Sequence, residues 1–337
     1  MNKDTAKKIS IGVTRVVAFA IVFLLILELF SVKVFSGQTS SEVSKKMADA
    51  YAFTEDEPNT TDIVCLGSSD MYSGFVPITL WDEFGYTSVV SCFSHQSIDD
   101  ALTLLKQIQK TQDVKLVLLE VDTMYDGKTV DEKNGKPASS WSTFFDAVNP
   151  QFFESAVERT FPTFIFHNTW KMRNAKSKRH KYSHGYLYNN KVVKNEVTDY
   201  MAYTDEVDMP VTPNVISLKN FAKYCKNEGI PLVFVEMPSS YSWNYARYNA
   251  IQQIADEVGV EYLDLNLMYD EIGISMENCY RDKGSHLNYA AASKSTVFLG
   301  NYIKEKYPFM IDHRSNPDYA NRWDEDSVNF KKINKIK

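Results

Sequence analysis

The sequence predicts an α/β protein: a three-layer α/β/α domain on a doubly wound, parallel, five-stranded sheet, preceded by one N-terminal transmembrane helix. Two patterns carry this expectation. Short apolar runs that stop at glycine or polar turn residues alternate with segments whose apolar residues recur at helical spacing, which implies a parallel sheet covered on both faces. Ahead of them stands a single long apolar stretch. The 337 residues, 44% apolar and 24% charged, suffice for one large or two small domains. They exclude a disordered chain, a collagen-like repeat and a multi-span membrane protein. A net charge of −6 argues against nucleic acid as a partner.

The uninterrupted apolar run, Val16–Leu27, is too short alone for a hydrocarbon core that needs about 20 residues. Extended to 11–35 it spans the core. Arg15 and Lys33 then lie near its ends, where basic side chains snorkel, and Glu28 reads as interfacial. Lys3, Lys7, Lys8 and Arg15 against Asp4 keep residues 1–10 cytoplasmic and export everything after Ser36. A cleaved signal peptide is the rival, with Val34-Phe35-Ser36 as a poor cleavage site. Glu28 and Lys33, between that site and the apolar run, favour an uncleaved single-pass anchor, so the lipid bilayer is the first expected partner. Cys65, Cys92, Cys225 and Cys279 show no C-x-x-C spacing. Outside the cytoplasm disulfides are permitted, but the apolar runs around Cys65 and Cys92 point to buried free thiols.

Residues 36–61 are polar, contain Pro58, and read as a stalk with one helical turn around Val43–Ala52. The domain proper is expected over 62–310. Ile63–Leu66, stopping at Gly67, is the first strand, and Pro77–Phe84 a short helix. Tyr86–Cys92 is the second strand. Ile98, Ala101, Leu102, Leu105 and Ile108 lie on one helix face. Val114–Val121 is the third strand. Leu218, Phe221, Ala222 and Cys225 mark a helix stopped at Gly229. Pro231–Glu236 is the fourth strand, Ile251, Ile254, Ala255 and Val258 a further helix, and Glu261–Leu265 the fifth strand. A helix from Asn288 to about Lys306 closes the series, and 311–337 reads as a tail. Residues 123–213, rich in aromatic and polar groups, break the alternation and read as an insertion over the strand ends. Its basic run Lys171–Lys181 reads as a solvated loop, or more sharply as a contact for an anionic polymer or lipid head groups. His167 and Trp170 read as a structural pair or as site-lining residues.

In open parallel sheets chemistry gathers at the carboxyl ends of the strands. That singles out Gly67–Asp70, Cys92–Gln96, Asp122–Tyr125, Pro238–Tyr241 and Asn266–His286, with Ser68, Asp70, His95, Asp122 and Ser239 as candidate substrate-binding residues. Two places carry possible covalent chemistry. Leu66-Gly67-Ser68-Ser69-Asp70 puts a serine on the tight turn after a buried strand, where a helix start offers free N–H groups to an oxyanion. Asp282-Lys283-Gly284-Ser285-His286-Leu287-Asn288 puts a histidine with a nearby carboxylate just before the last helix. A phosphate-binding enzyme using the Gly67–Ser69 turn is disfavoured, because that turn lacks the glycine-rich loop and lysine of a nucleotide site.

The order and placement of these two motifs resemble the SGNH (GDSL-like) hydrolase family. There the nucleophile lies in a Gly-Asp-Ser-type turn after the first strand, and an Asp-x-x-His motif precedes the last helix. The likeness is to the exported, membrane-anchored branch serving cell-envelope systems, distantly the DltD and AlgJ/AlgX types, and extends over about Asp62 to Tyr307. His286-Leu287-Asn288 followed by Ala290–Ala292 is also similar to that branch. The resemblance implies an SGNH/flavodoxin-like fold, Ser69 as nucleophile, His286 as base and Asp282 as its orienter. Oxyanion donors would be the main-chain N–H of Ser69 and one near Phe93 or Ser94. It implies no metal and no organic cofactor. A cell-surface polysaccharide or teichoic-acid-like polymer would be the substrate, with an integral membrane acyltransferase as possible partner. Three departures stand out. Asp282 is four residues before His286, not three, so Asp264 and Asp270 remain alternatives. Ser91–Gln96 lacks the family's oxyanion glycine, and Glu120, Asp122 and Thr123 replace its Gly-x-Asn-Asp block. A non-catalytic module that binds a glycan or organises a complex is the second expectation.

The charge asymmetry around the apolar stretch gives a direct test. Protease added to intact spheroplasts is expected to release a fragment beginning near residues 37–62; full protection of that fragment refutes the exported orientation.

Overall fold

The computed structural model describes residues 3–35, 49–126, 181–197 and 199–336. Val43, His167, Trp170 and all but the last residue of the basic run at 171–181 lie outside these. The chain divides into two compact units, 1–44 with 129–175 and 45–128 with 176–337. In the first, α1 (Lys3–Phe35) contains Ile11–Phe30, whose mean hydropathy of 2.5 and length suffice to cross a membrane, and none of it is buried.

The second unit is α/β. Its five strands are β1 (Ile63–Leu66), β2 (Ser88–Val90), β3 (Leu116–Glu120), β4 (Leu232–Glu236) and β5 (Glu261–Asp264). They form one sheet in the order β2-β1-β3-β4-β5, and every pair is parallel. The four inner or apolar strands are buried throughout, while β5, at an edge, is half exposed. Because side chains alternate along a strand, each strand feeds two cores. Ile63, Cys65, Leu116, Leu118, Val233 and Val235 join one; Val64, Leu66, Val117, Leu119, Leu232 and Phe234 join the other.

Helices cover both faces. The first core takes Met71 of α2 (Ser69–Gly74) and Trp81 of α3 (Pro77–Phe84). The second takes Leu105 of α4 (Ile98–Ile108), Phe221 of α5 (Thr212–Glu228) and Ile254 of α6 (Tyr245–Val258). After β5 come α7 (Tyr269–Ile272) and α8 (Tyr289–Lys306), whose Leu299 and Ile303 return to the first core. The chain thus leaves β1 toward one edge and β3 toward the other. Their carboxyl ends flank the switch point, where such sheets bind ligands.

Three expectations need correction. Residues 49–61 are not a stalk. A 3₁₀ segment, Asp49–Glu55, buries Ala50, Tyr51 and Phe53 in the second core. Nor is the C-terminus a tail. α9 (Pro317–Asn334) starts at the Asn316 cap with Pro317 in its first turn and buries Trp323, Asp326, Ser327 and Phe330. That i, i+3, i+4, i+7 stripe is narrow and half polar, which hides it in a charged sequence. Finally, the last part of the expected insertion belongs to the domain: Val90 of β2 donates its N–H to the His184 carbonyl (2.9 Å), and Tyr186 is core. These three segments meet at the His184 ring. It lies 3.4 Å from Asp56 and 3.1 Å from Asp326, and stacks on Trp323 with 3.8 Å between centroids. The strands differ from expectation only at their ends, β2 beginning at Ser88 and β3 running from Leu116 to Glu120. All four cysteines are free and buried.

If α9 is an integral layer, Phe330→Ala should cost about 3–5 kcal/mol in denaturant unfolding, as for other buried aromatics. A change within about 0.5 kcal/mol, typical of exposed positions, refutes the packing.

Candidate active site

The turn after β1 is built around one glycine. Gly67 has φ +146, and a Cβ there would lie 2.4 Å from Glu120 Oε2. The missing side chain lets the Glu120 carboxylate, at the end of β3, reach Ser68: it accepts the Ser68 N–H at 2.5 Å and the Ser68 hydroxyl at 3.2 Å. The Gly67 N–H donates to Gln96 Oε1 (2.9 Å), whose amide nitrogen donates to the Ser91 carbonyl (3.1 Å). Ser68 then caps α2 by accepting from the Asp70 N–H. Ser69 is therefore the first residue of a helix directly at a strand end, half-buried. Among the described residues neither its hydroxyl nor its N–H donates a hydrogen bond, and the N–H groups of Phe93 and Ser94 are likewise unclaimed.

The histidine loop is equally local. Tyr280 and Leu287 pair as an antiparallel bridge, and the Arg281 N–H donates to the His286 carbonyl at 3.0 Å. Between them Asp282 Oδ1 accepts the N–H groups of Ser285 and His286, each at 3.0 Å, while Oδ2 lies 2.5 Å from His286 Nδ1. This turn explains the four-residue spacing. It needs Gly284 at φ +100, because a Cβ there would meet Ser240 Oγ at 2.2 Å and Asn195 Nδ2 at 2.4 Å. Burial alone would raise the Asp282 pKa, but the His286 ring and the two N–H groups outweigh it and hold the carboxyl below its ordinary value. Asp264 is engaged elsewhere, accepting from Trp243 Nε1 (2.8 Å), Tyr262 and Asn266. Asp270 is exposed.

The other ring nitrogen, His286 Nε2, faces the start of α2. Its contact there is Asp70 Oδ1 at 3.5 Å, one residue past Ser69, and no Ser69–His286 hydrogen bond is formed. Asp70 is buried, with Ser242 Oγ 3.4 Å from its Oδ2. Ser239 is buried, bonded through its N–H to Asn266 (2.9 Å) and through its hydroxyl to Ser242 (2.8 Å). His95 stands apart: exposed, at φ 59, it pairs with Asp126 at 2.9 Å.

Carboxyl groups dominate this end of the sheet. Glu236, at the end of β4, is fully buried, and among the described residues neither of its oxygens has a hydrogen-bond partner. Carboxylate oxygens of Asp70, Asp122 and Glu236 lie within 4.8 Å of one another. Burial, then repulsion from neighbouring carboxylates, raises Asp70 and Glu236 well above the ordinary range; burial also raises Asp122, against the Ser242 hydroxyl. Burial and then Asp122 push Glu120 up to about 8, in spite of the Ser68 bonds. Burial lifts Asp264 to about 6 against its several donors. Glu236 and Ser242 were not singled out from sequence as site residues. The available signal was that two apolar strands, LVLLE and LVFVE, both end in glutamate. A cleft of about 630 Å³, lined by Thr79, Glu83, Ser293 and Lys294 among others, contains none of these groups.

No protein-family model and no curated protein matches this sequence.

The raised Glu120 pKa sets a pH dependence. The folded protein holds a proton on Glu120 that the unfolded chain releases, so stability falls as pH rises from about 4.5 to about 8. Glu120→Gln, neutral at every pH, should flatten that slope in urea melts; an unchanged slope refutes the assignment.

Proposed function

We propose that this chain is an extracytoplasmic, membrane-anchored serine esterase or O-acyltransferase. In this reading it has a three-layer SGNH-type arrangement and acts on acyl groups of a bacterial cell-surface polysaccharide or teichoic-acid-like polymer. The observation that carries the reading is the Asp282–His286 pair, oriented through Nδ1 with Nε2 directed at the helix start that bears Ser69. A carboxylate on one ring nitrogen fixes the tautomer that leaves the other free to take a proton.

The mechanism follows from these groups. Ser69 Oγ attacks the acyl carbonyl while its proton passes to His286 Nε2. The tetrahedral oxyanion is met by the N–H of Ser69, at the start of α2, and by that of Phe93 or Ser94. Collapse breaks the ester bond, and His286 returns the proton to the leaving oxygen. The acyl group, now on Ser69, passes to a polymer hydroxyl or to water, whose proton goes to His286 and from there to Ser69 Oγ as the acyl–serine bond breaks. For Ser69 to reach Nε2, its rotamer or that of Asp70 has to shift on substrate entry, as apo active sites often require. With α1 as anchor, the domain stays beside the bilayer, where an integral membrane acyl donor can load it.

A second reading, a non-catalytic glycan-binding or scaffolding module of the same fold, draws on two observations. Asp70 stands at Nε2 where the serine hydroxyl is needed. Glu120, an acceptor on Ser68, occupies the region where the family's Asn block would supply an oxyanion donor.

A serine-directed fluorophosphonate separates the two readings. Labelling of Ser69 should vanish in Ser69→Ala and fall by roughly 10³-fold or more in His286→Ala. Asp282→Asn should lower it by a smaller factor, since it orients the ring without taking the proton. Failure to label Ser69, together with normal envelope acylation in a Ser69→Ala strain, would establish the non-catalytic module.

A further inference from the structure

The serine reading uses His286 and Asp282 and leaves the carboxylates beside them without a task. Asp70 follows β1, Asp122 follows β3, and Glu236 ends β4, so three neighbouring strands deliver one acid each to the same point. The neighbouring buried acids are all bonded: Glu120 holds Ser68, and Asp264 holds Trp243, Tyr262 and Asn266. Among the described residues Glu236 alone of them is fully buried with both oxygens unpartnered, and it points into the Asp70–Asp122 pair. Leaving a buried carboxylate without donors is costly. Among the described residues the nearby basic groups do not meet it. Arg247 is bonded to the Ser242 carbonyl, lies 3.4 Å from Asp208 and stacks on the Tyr125 ring. His286 is held by Asp282 through Nδ1 and lies 3.5 Å from Asp70 through Nε2, without reaching Glu236, and His95 is held by Asp126.

We propose that Asp70, Asp122 and Glu236 form a binding site for one hard divalent cation of the Ca²⁺ or Mg²⁺ class. The donors are all carboxylate oxygens, with no thiolate or imidazole in the trio, which selects hard cations over zinc or copper. An oxygen separation of up to 4.8 Å is what ligands at opposite sides of a Ca²⁺ show when each lies about 2.3–2.6 Å from it. Mg²⁺ is accommodated by a small inward movement. The Ser242 hydroxyl, 3.4 Å from Asp70 Oδ2, and water complete the shell. Asp122 and Ser242 are only partly buried, which leaves an entry on that side. The inference stands on the geometry of the trio and is independent of the serine reading.

The test uses the full chain, solubilised in detergent and stripped with chelator, then dialysed at neutral pH against CaCl₂, MgCl₂ or MnCl₂. Bound metal is counted by mass spectrometry. One ion per chain is expected at concentrations no higher than about 10⁻³ M, the weak end of the range for extracellular calcium sites. Binding should be lost in Glu236→Gln and in Asp122→Asn and retained in Glu277→Gln, an exposed control. Glu236→Gln keeps the shape of the side chain and removes its ionisable group, so the stripped variant should melt at or above the temperature of the stripped wild type. Added CaCl₂ should raise the wild-type melting temperature and leave that of Glu236→Gln unchanged. If the wild type binds no ion at about 10 mM of any of the three, protons alone neutralise the cluster and the proposal is overturned. A folded Glu236→Gln that still binds one ion per chain overturns it equally, as does loss of binding in the control.

Discussion

The contact between Glu120 and the Ser68 turn sets the geometry on which the rest of the site depends. The last residue of β3 reaches across to the first residues after β1, which is possible only because Gly67 has no side chain and adopts φ +146. That bond fixes Ser68 as the cap of α2, and the cap fixes where Ser69 and Asp70 emerge. Gln96 braces the same turn from the β2 side. Three strands thus converge on one peptide turn, and the sheet's register becomes the register of the site.

The histidine loop reaches the same place by an independent route. It is stabilised locally, by Asp282 accepting two main-chain N–H groups and the ring, and it abuts the β4 loop through Gly284, Ser240 and Asn195. Asn195 comes from the last part of the 123–213 segment and donates to Ser240 Oγ, and Tyr200 of the same segment bonds Asn266 at 2.8 Å. The strand-end loops are therefore tied together by residues far apart in the chain. This is the arrangement a preorganised site requires, because each loop alone would lose too much conformational freedom to stay in place.

Electrostatically the site runs against stability. Carboxyls from four strand ends are buried within reach of one another, and burial raises their pKa values before repulsion adds to it. Stability is supplied elsewhere in the fold: by two apolar cores, and by the packing of Trp323, Phe330 and the His184 ring, which binds the C-terminal helix to the domain. Such a division, a strained functional end carried by a well-packed remainder, is how folded proteins hold groups that would prefer water.

The sequence by itself determined the elements whose physics is local. Runs such as IVCL and LVLLE, too short for helices and bounded by turn residues, read as buried parallel strands, and Gly229 and Asn288 stop and start helices through their own backbone preferences. The positions of Ser69 and His286 at strand and helix ends followed from the same patterns, as did Asp282 as the nearest carboxylate in the chain. Tertiary structure alone decided three things. It decided that residues 49–61 and 317–334 are layers of the domain, since a sparse apolar stripe is indistinguishable from a solvated helix until something packs against it. It decided that Asp70, not the serine hydroxyl, stands at His286 Nε2 in the free protein. And it decided that Glu236 joins Asp70 and Asp122, because which strand ends become neighbours depends on strand order, and strand order is fixed by the crossovers of the whole chain and not by any one segment.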